Sequence, residues 1–170
     1  MLAAIFERIG TTNKHCFEVG ALDGEKWSNT WALREAGWKA GLIECDQEQY
    51  AILLKRFSCA RVETRCIKVA PSNFETVLRT CYMPDEPDLG VIDIDGRDYE
   101  LWQSLQQIRP RVMLIEFGAW NQPNHVSADS DRGPEASAGK DTMIALGRSK
   151  GYTPICNTYC NLLFVRSDCL

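Results

Sequence analysis

The chain has 170 residues, 45% of them apolar and 25% charged, a composition that supports a packed core and excludes a disordered polypeptide. That length suits a single domain over residues 1–170 and is too short for two with separate cores. Asp and Glu number 23 against 19 Lys and Arg, a net charge of −4 that offers no general attraction to nucleic acid or anionic lipid. No apolar run approaches a membrane span.

The opening Met1-Leu2-Ala3-Ala4-Ile5-Phe6-Glu7 has no basic leader and reads as a short amphipathic helix ending at Gly10, not a signal peptide. A strand is expected over 15–19, closed by Gly20. Ser28-Asn29-Thr30 then offers helix-capping chemistry before Trp31-Ala32-Leu33-Arg34-Glu35, with Gly37 as the stop. Residues 40–44 form the second strand, and Tyr50, Leu53, Leu54 and Phe57 follow at helical spacing as one buried face. A half-solvated strand is expected within 61–69. Pro71-Ser72-Asn73 opens a helix that buries Phe74, Val77, Leu78 and Cys81.

After the turn-rich stretch 83–88, residues 89–94 read as a strand running into Asp93-Ile94-Asp95-Gly96. The next helix turns Leu101, Trp102, Leu105 and Ile108 inward and stops at Pro110. Val112-Met113-Leu114-Ile115 is the most apolar run and ends at Glu116. Residues 118–139, rich in Gly, Pro, Asn, Ser and Asp, are expected to be mostly loop, and 141–150 the last helix. Two final strands, 152–156 and 162–166, are joined too closely for a crossover helix and must pair antiparallel. Strand–helix alternation of this kind predicts an α/β fold of three layers, a mostly parallel sheet between helices.

Eight cysteines contain no CxxC pair, and His15 and His125 complete no zinc spacing. They are expected as free, largely buried thiols in a reducing, cytoplasmic setting.

In an open parallel sheet, ligands bind beyond the carboxyl ends of the strands. The first strand delivers Glu18-Val19-Gly20-Ala21-Leu22-Asp23-Gly24, an acid and glycine turn distinct from the Gly-x-Gly-x-x-Gly of pyrophosphate binders. Gly20 and Gly24 are expected to clear room for a ligand against the backbone. Glu44 ends the second strand, where an acid accepts hydrogen bonds from ribose hydroxyls. This pair suits an adenosine ligand without a pyrophosphate better than a nicotinamide dinucleotide.

Residues 17–24, Ser28-Asn29-Thr30 and Gly37-Trp38-Lys39-Ala40-Gly41-Leu42-Ile43-Glu44 resemble the start of an FkbM-type S-adenosylmethionine-dependent methyltransferase. The resemblance continues through 92–102, 109–117, 146–152 and 161–168, in the family's order. It implies the Rossmann-like class I methyltransferase fold, with seven strands and the last antiparallel. It also implies transfer of a methyl group to a hydroxyl of a sugar, glycan or natural product. Glu18, Gly20, Ala21 and Gly24 would then line the cofactor's amino-acid and ribose portion, and Glu44 would hold the ribose. Asn29 is either a further contact or a helix cap. Cys45 and Asp46 depart from the proline that the family often carries after this acid.

Asp93, Asp95 and Glu116 are expected at the same edge. One reading makes them a Mg²⁺ site, another makes one carboxylate a general base, and a third makes them loop and turn residues, with Asp98 stabilising the next helix. His125 is a second candidate base or a solvated loop residue. Trp27, Trp31 and Trp38 read as packing residues, whereas Trp120 lies on the substrate-side loop. A small-molecule or glycan acceptor is expected and no nucleic acid or membrane, with self-association left open. The rival reading is a binding or scaffold module that keeps the fold without turnover.

Overall fold

A computed structural model describes residues 1–57, 61–94, 96–118 and 138–170. Among these, seven strands form one sheet: β1 (His15–Val19), β2 (Lys39–Glu44), β3 (Val62–Cys66), β4 (Leu89–Ile92), β5 (Val112–Glu116), β6 (Tyr152–Asn157) and β7 (Asn161–Arg166). Their order is β3-β2-β1-β4-β5-β7-β6, with β7 antiparallel to both of its neighbours. The pairs β1–β2, β2–β3, β1–β4 and β4–β5 are all parallel. The closing antiparallel pair expected from the short last connection is therefore present.

Among the described residues, six α-helices cover the sheet: α1 (Leu2–Ile9), α2 (Trp31–Glu35), α3 (Gln47–Arg56), α4 (Phe74–Thr80), α5 (Asp98–Ser104) and α6 (Lys140–Ser149). Strand side chains alternate between two cores, as the two-residue period of a strand requires. Cys16, Leu42, Val91 and Leu114 pack with Phe6, Trp38 and Leu53 on the side of α1 and α3. Phe17, Ile43, Ile92 and Ile115 pack with Phe74, Trp102 and Met143 on the side of α4, α5 and α6. Both faces of the central strands are dry, which explains their unbroken apolar runs.

Two expectations need correction. On α3, Leu53 is fully buried but Leu54 is 47% exposed, so the helix dips only a narrow stripe into the core. The α5 helix ends at Ser104 and does not continue to Ile108. Glu75 Oε1 on α4 takes the amides of Gln106 and Gln107 at 2.7 Å and that of Ile108 at 3.2 Å. Those amides are satisfied outside the helix, so Leu105 and Ile108 reach the core from extended chain.

The described cysteines are free thiols, but only Cys16 and Cys81 are buried as expected, and Cys45 and Cys66 are exposed. Among the described residues, no helix is long and apolar enough to cross a membrane.

Candidate functional site

The strand order reverses beside β1, which lies between β2 and β4. A reversal of this kind opens a crevice at the carboxyl edge of the sheet. Val19 pairs with Ile92, and Ile92 with Ile115. The next row therefore brings Gly20, Asp93 and Glu116 side by side, with Asn161 opposite Glu116. Residues separated by more than a hundred positions meet here because parallel pairing stacks every strand's carboxyl end on one edge.

The loop after β1 is bound to its neighbours through backbone and carboxylates. Gly20 and Ala21 donate their amides to the Ile43 carbonyl at 3.0 and 3.2 Å. Leu22, held at φ +47°, donates its amide to Glu44 Oε2 at 2.8 Å. The other oxygen, Oε1, accepts from the Cys45 and Asp46 amides at 2.7 and 2.8 Å. Glu44 is 5% exposed, so its carboxylate is fixed in direction beside the glycine loop. Three amide donors leave acceptor capacity on a carboxylate that offers about four lone-pair sites. That remaining acceptor capacity fits the hydroxyls of a ribose.

Gly20 and Gly24 are required by the protein's own chain. A Cβ on Gly20 would sit 1.7 Å from the Asp93 carbonyl oxygen, and one on Gly24 would sit 2.5 Å from the Phe57 ring. Both also have positive φ, +83° and +79°. They clear room for the protein's own chain, drawing β1 against the end of β4 and seating the loop on α3. Ala21 places its methyl in the core, so only its backbone faces the crevice.

Glu18 is buried, and its carboxylate is taken up within the chain. Oε1 accepts from the Asn29 amide at 2.7 Å. Oε2 accepts from the hydroxyls of Ser28 at 2.6 Å and Thr30 at 2.5 Å. Arg34 closes this network from below. Its Nε donates to Thr30 Oγ1 at 3.2 Å, its Nη2 to Ser28 Oγ at 3.0 Å and to the Gly24 carbonyl, and its guanidinium lies over the Phe57 ring. Thr30 is the N-cap residue of α2 but makes no side-chain cap bond, because its hydroxyl serves Glu18. Asn29 is not the cap. Its Nδ2 lies 3.4 Å from Asp93 Oδ2.

Asp93 follows β4, and its amide donates to the Val19 carbonyl at 3.1 Å. Asp98, the first residue of α5, is fully buried and receives the amides of Ile94 at 3.0 Å and Gly96 at 3.1 Å. Burial pushes its carboxyl up to about 7, with the nearby Asp93 adding to the rise. Asp98 thus shapes the turn that carries Asp93, a role expected only for the helix start. Asp95 and His125 lie outside the described residues, as does Trp120.

Among the described residues, no three His, Cys, Asp or Glu side chains are grouped to hold a metal ion. Asp93 and Glu116 share the edge, and Asp95, the third expected ligand, lies outside the described residues.

Two surface clefts of about 270 and 230 Å³ lie at the opposite, amino-terminal edge, lined by residues such as Arg109 and Lys150, and His15 and Lys39. Trp38 is core at 5% exposure, as expected, but Trp27 is 79% exposed and Trp31 is 42% exposed. The sequence signal for Trp27 is its polar setting, Asp23-Gly24-Glu25-Lys26.

The fold is that of the class I methyltransferases, shared with solved structures of low sequence identity. A candidate O-methyltransferase from Klebsiella pneumoniae matches with a TM-score of 0.60 at 19% identity, covering 97% of this chain and 78% of that one. A SAM-dependent methyltransferase from Aquifex aeolicus matches with a TM-score of 0.52 at 9% identity, over 96% and 88%. Geranyl diphosphate C-methyltransferase from Streptomyces coelicolor A3(2), solved with Mg²⁺, geranyl diphosphate and S-adenosyl-L-homocysteine, matches with a TM-score of 0.55 at 11% identity, over 91% and 59%. No protein-family profile matches the chain, and no curated protein matches it significantly. The neighbours' names include both O- and C-methyltransferases, so the fold by itself does not select the acceptor atom.

Proposed function

We propose that this chain is a single-domain, cytoplasmic S-adenosylmethionine-dependent methyltransferase of the FkbM type that methylates a hydroxyl oxygen on a sugar, glycan or natural-product acceptor. The observation that carries the reading is Glu44, a buried carboxylate at the end of β2 that is aimed at the loop after β1 by the Leu22 amide at 2.8 Å. An adenosine ribose is the ligand whose paired hydroxyls suit a carboxylate in that place. The loop backbone of Gly20, Ala21 and Gly24 would run along the ribose and amino-acid portion, with Asn29 near its far end. Glu18 acts through the loop that it holds.

When bound, the cofactor supplies an electrophilic methyl group on a sulfonium centre. The chain's part is to hold the acceptor oxygen in line with that bond and to take its proton. Asp93, at the crevice and within reach of Asn29 Nδ2 at 3.4 Å, is the base in this scheme. Glu116, in the next strand, orients the acceptor. Mg²⁺ assistance, with Asp93, Asp95 and Glu116 as ligands, would show as a metal requirement of turnover.

Titration calorimetry with S-adenosylmethionine and S-adenosylhomocysteine, with NADH as control, tests the cofactor. Saturable binding of both sulfur ligands, lost in Glu44→Ala, is expected. Binding that survives Glu44→Ala would remove the ribose assignment. No binding to either ligand would leave a scaffold module with a methyltransferase fold.

A further inference from the structure

We infer that Asn161 is a recognition residue for the acceptor, its buried side-chain amide taking a second, non-reacting hydroxyl of a molecule that carries at least two. The role deepens the methyl-transfer reading and rests on it in taking that molecule as the acceptor.

Asn161 opens β7 and is 8% exposed. Among the described residues, its Oδ1 is buried with no hydrogen-bond partner, and its Nδ2 donates to the Cys160 sulfur, a weak acceptor, at 3.6 Å. The hairpin does not need this side chain. Its turn is closed by the Thr158 amide on the Asn161 carbonyl at 2.8 Å and by the Asn161 amide on Thr158 Oγ1 at 3.1 Å. The strand goes on as buried Leu162-Leu163-Phe164-Val165, so a valine at 161 would extend the core and orphan no polar atom. A buried amide oxygen without a donor is destabilising, and native proteins keep few of them. One that persists at a crevice points to a partner from outside the chain.

The strand register places that partner. Asn161 pairs with Glu116, and paired residues of antiparallel strands project to one face about 5 Å apart. Leu114 and Leu163 pack in the core beneath α1 and α3, whereas Ile115 and Leu162 pack in the other core. Two-residue alternation therefore turns Glu116 and Asn161 to the α1 and α3 side. Asp93 joins them, because it follows Val91 and Ile92 in the same alternation and its amide extends the ladder to Val19. The three form a polar row across the ends of β4, β5 and β7.

Glu44 stands four strands from Asn161, roughly 19 Å at about 4.8 Å per strand, so the amide belongs to the acceptor half of the crevice. Asp93 is two strands away, roughly 10 Å, too far for one hydroxyl to bond both groups at about 2.8 Å each. A molecule whose reacting hydroxyl meets Asp93 reaches Asn161 only with a separate one. A hydroxyl suits the amide in either orientation, donating to Oδ1 or accepting from Nδ2. An ammonium would bring a charge and three donors to a neutral, nearly dry partner.

The test uses the ¹⁵N-labelled full chain saturated with S-adenosylhomocysteine. The probes are trans-cyclohexane-1,4-diol, trans-4-methylcyclohexanol, which lacks the second hydroxyl, and trans-4-aminocyclohexanol. The Asn161 side-chain NH₂ signals are assigned by their loss in Asn161→Val, and affinities are read from the Glu116 amide. The diol is expected to shift the Asn161 signals saturably and to bind about tenfold tighter than 4-methylcyclohexanol. In Asn161→Val that preference should vanish, while the urea midpoint of the ligand-free chain stays level or rises because an orphaned polar atom is gone.

The inference is overturned if S-adenosylhomocysteine binds and the diol is held no tighter than 4-methylcyclohexanol, or if the preference survives in Asn161→Val. Tightest binding by the amino alcohol overturns it as well. So does a lowered midpoint in Asn161→Val, which would show that the amide is satisfied within the fold. If the diol shifts Asn161 while S-adenosylhomocysteine leaves the Gly20 and Gly24 amides unmoved, the hydroxyl site stands and the methyl-transfer reading falls. If neither ligand binds, both fall.

Discussion

The Thr30 hydroxyl donates to Glu18 Oε2 at 2.5 Å, and this bond converts a helix start into part of the crevice wall. The same carboxylate holds Ser28 and Asn29, so the acid at the end of β1 fixes the whole turn that brings Asn29 to Asp93. Replacing Glu18 by Gln would put an NH₂ group among three donors. Glu18→Gln is expected to lose about 1–3 kcal/mol of stability and to weaken S-adenosylhomocysteine binding. Urea unfolding with calorimetry on the same sample measures both. An unchanged midpoint would show that the turn keeps its shape without the carboxylate.

Gly20 carries a second prediction. A methyl group there would overlap the Asp93 carbonyl oxygen, a backbone atom that cannot swing aside. Gly20→Ala is expected to cost about 3 kcal/mol or more, from overpacking added to left-handed strain. It should also displace the end of β4. Chemical shifts of the Ile92 and Asp93 amides, compared with wild type, would detect that movement. Unaltered shifts in a stable variant would refute the contact.

Asp88 anchors the far edge of the sheet. Fully buried, it takes the amides of Thr12, Asn13 and Lys14 and pairs with Arg111 Nη1 at 2.9 Å. Burial works against its charge, but Arg111 and these amides outweigh it and hold the carboxyl below its ordinary value. Its stabilising contribution is therefore full above pH 4 and is lost as pH falls through the lowered value. Asp88→Asn leaves the guanidinium unbalanced and should cost about 3–5 kcal/mol near neutrality. Denaturation curves at pH 7 and pH 3 should show a smaller gap between variant and wild type in acid.

Asp98 behaves with the opposite sign. Its carboxyl is raised to about 7 by burial, so the folded chain keeps a proton that the unfolded chain has released above about pH 4. The stability that this proton provides is complete below pH 4 and declines as pH rises through 7. The Ile94 and Gly96 amides, which bond to this carboxylate, should titrate together with a midpoint near neutrality. Flat titration curves between pH 5 and 8.5 would show that Asp98 keeps one charge state throughout.

The periodic apolar pattern of the chain suffices for its elements. Phe74, Val77 and Leu78 mark a helix face, Val112 to Ile115 a doubly buried strand, and the short last connection an antiparallel pair. These are local facts, decided by neighbours a few residues apart. The sequence also placed Glu44 and the glycine turn at strand ends, because alternation of strands and helices puts every strand's carboxyl end on one edge.

Tertiary structure alone decided what those residues touch. Gly20 is glycine because of Asp93, 73 positions later, and the fully buried Asp88 meets Thr12 across a separation of 76 residues. Glu18 turns inward to Ser28 and Thr30, α5 ends early because Glu75 on another helix takes its next amides, and Trp27 stays in solvent because Asp23 holds its turn. Periodicity specifies which side of an element is apolar. It carries no record of which distant donor or acceptor will be waiting there, and buried polar groups are satisfied by whichever partner the strand order delivers.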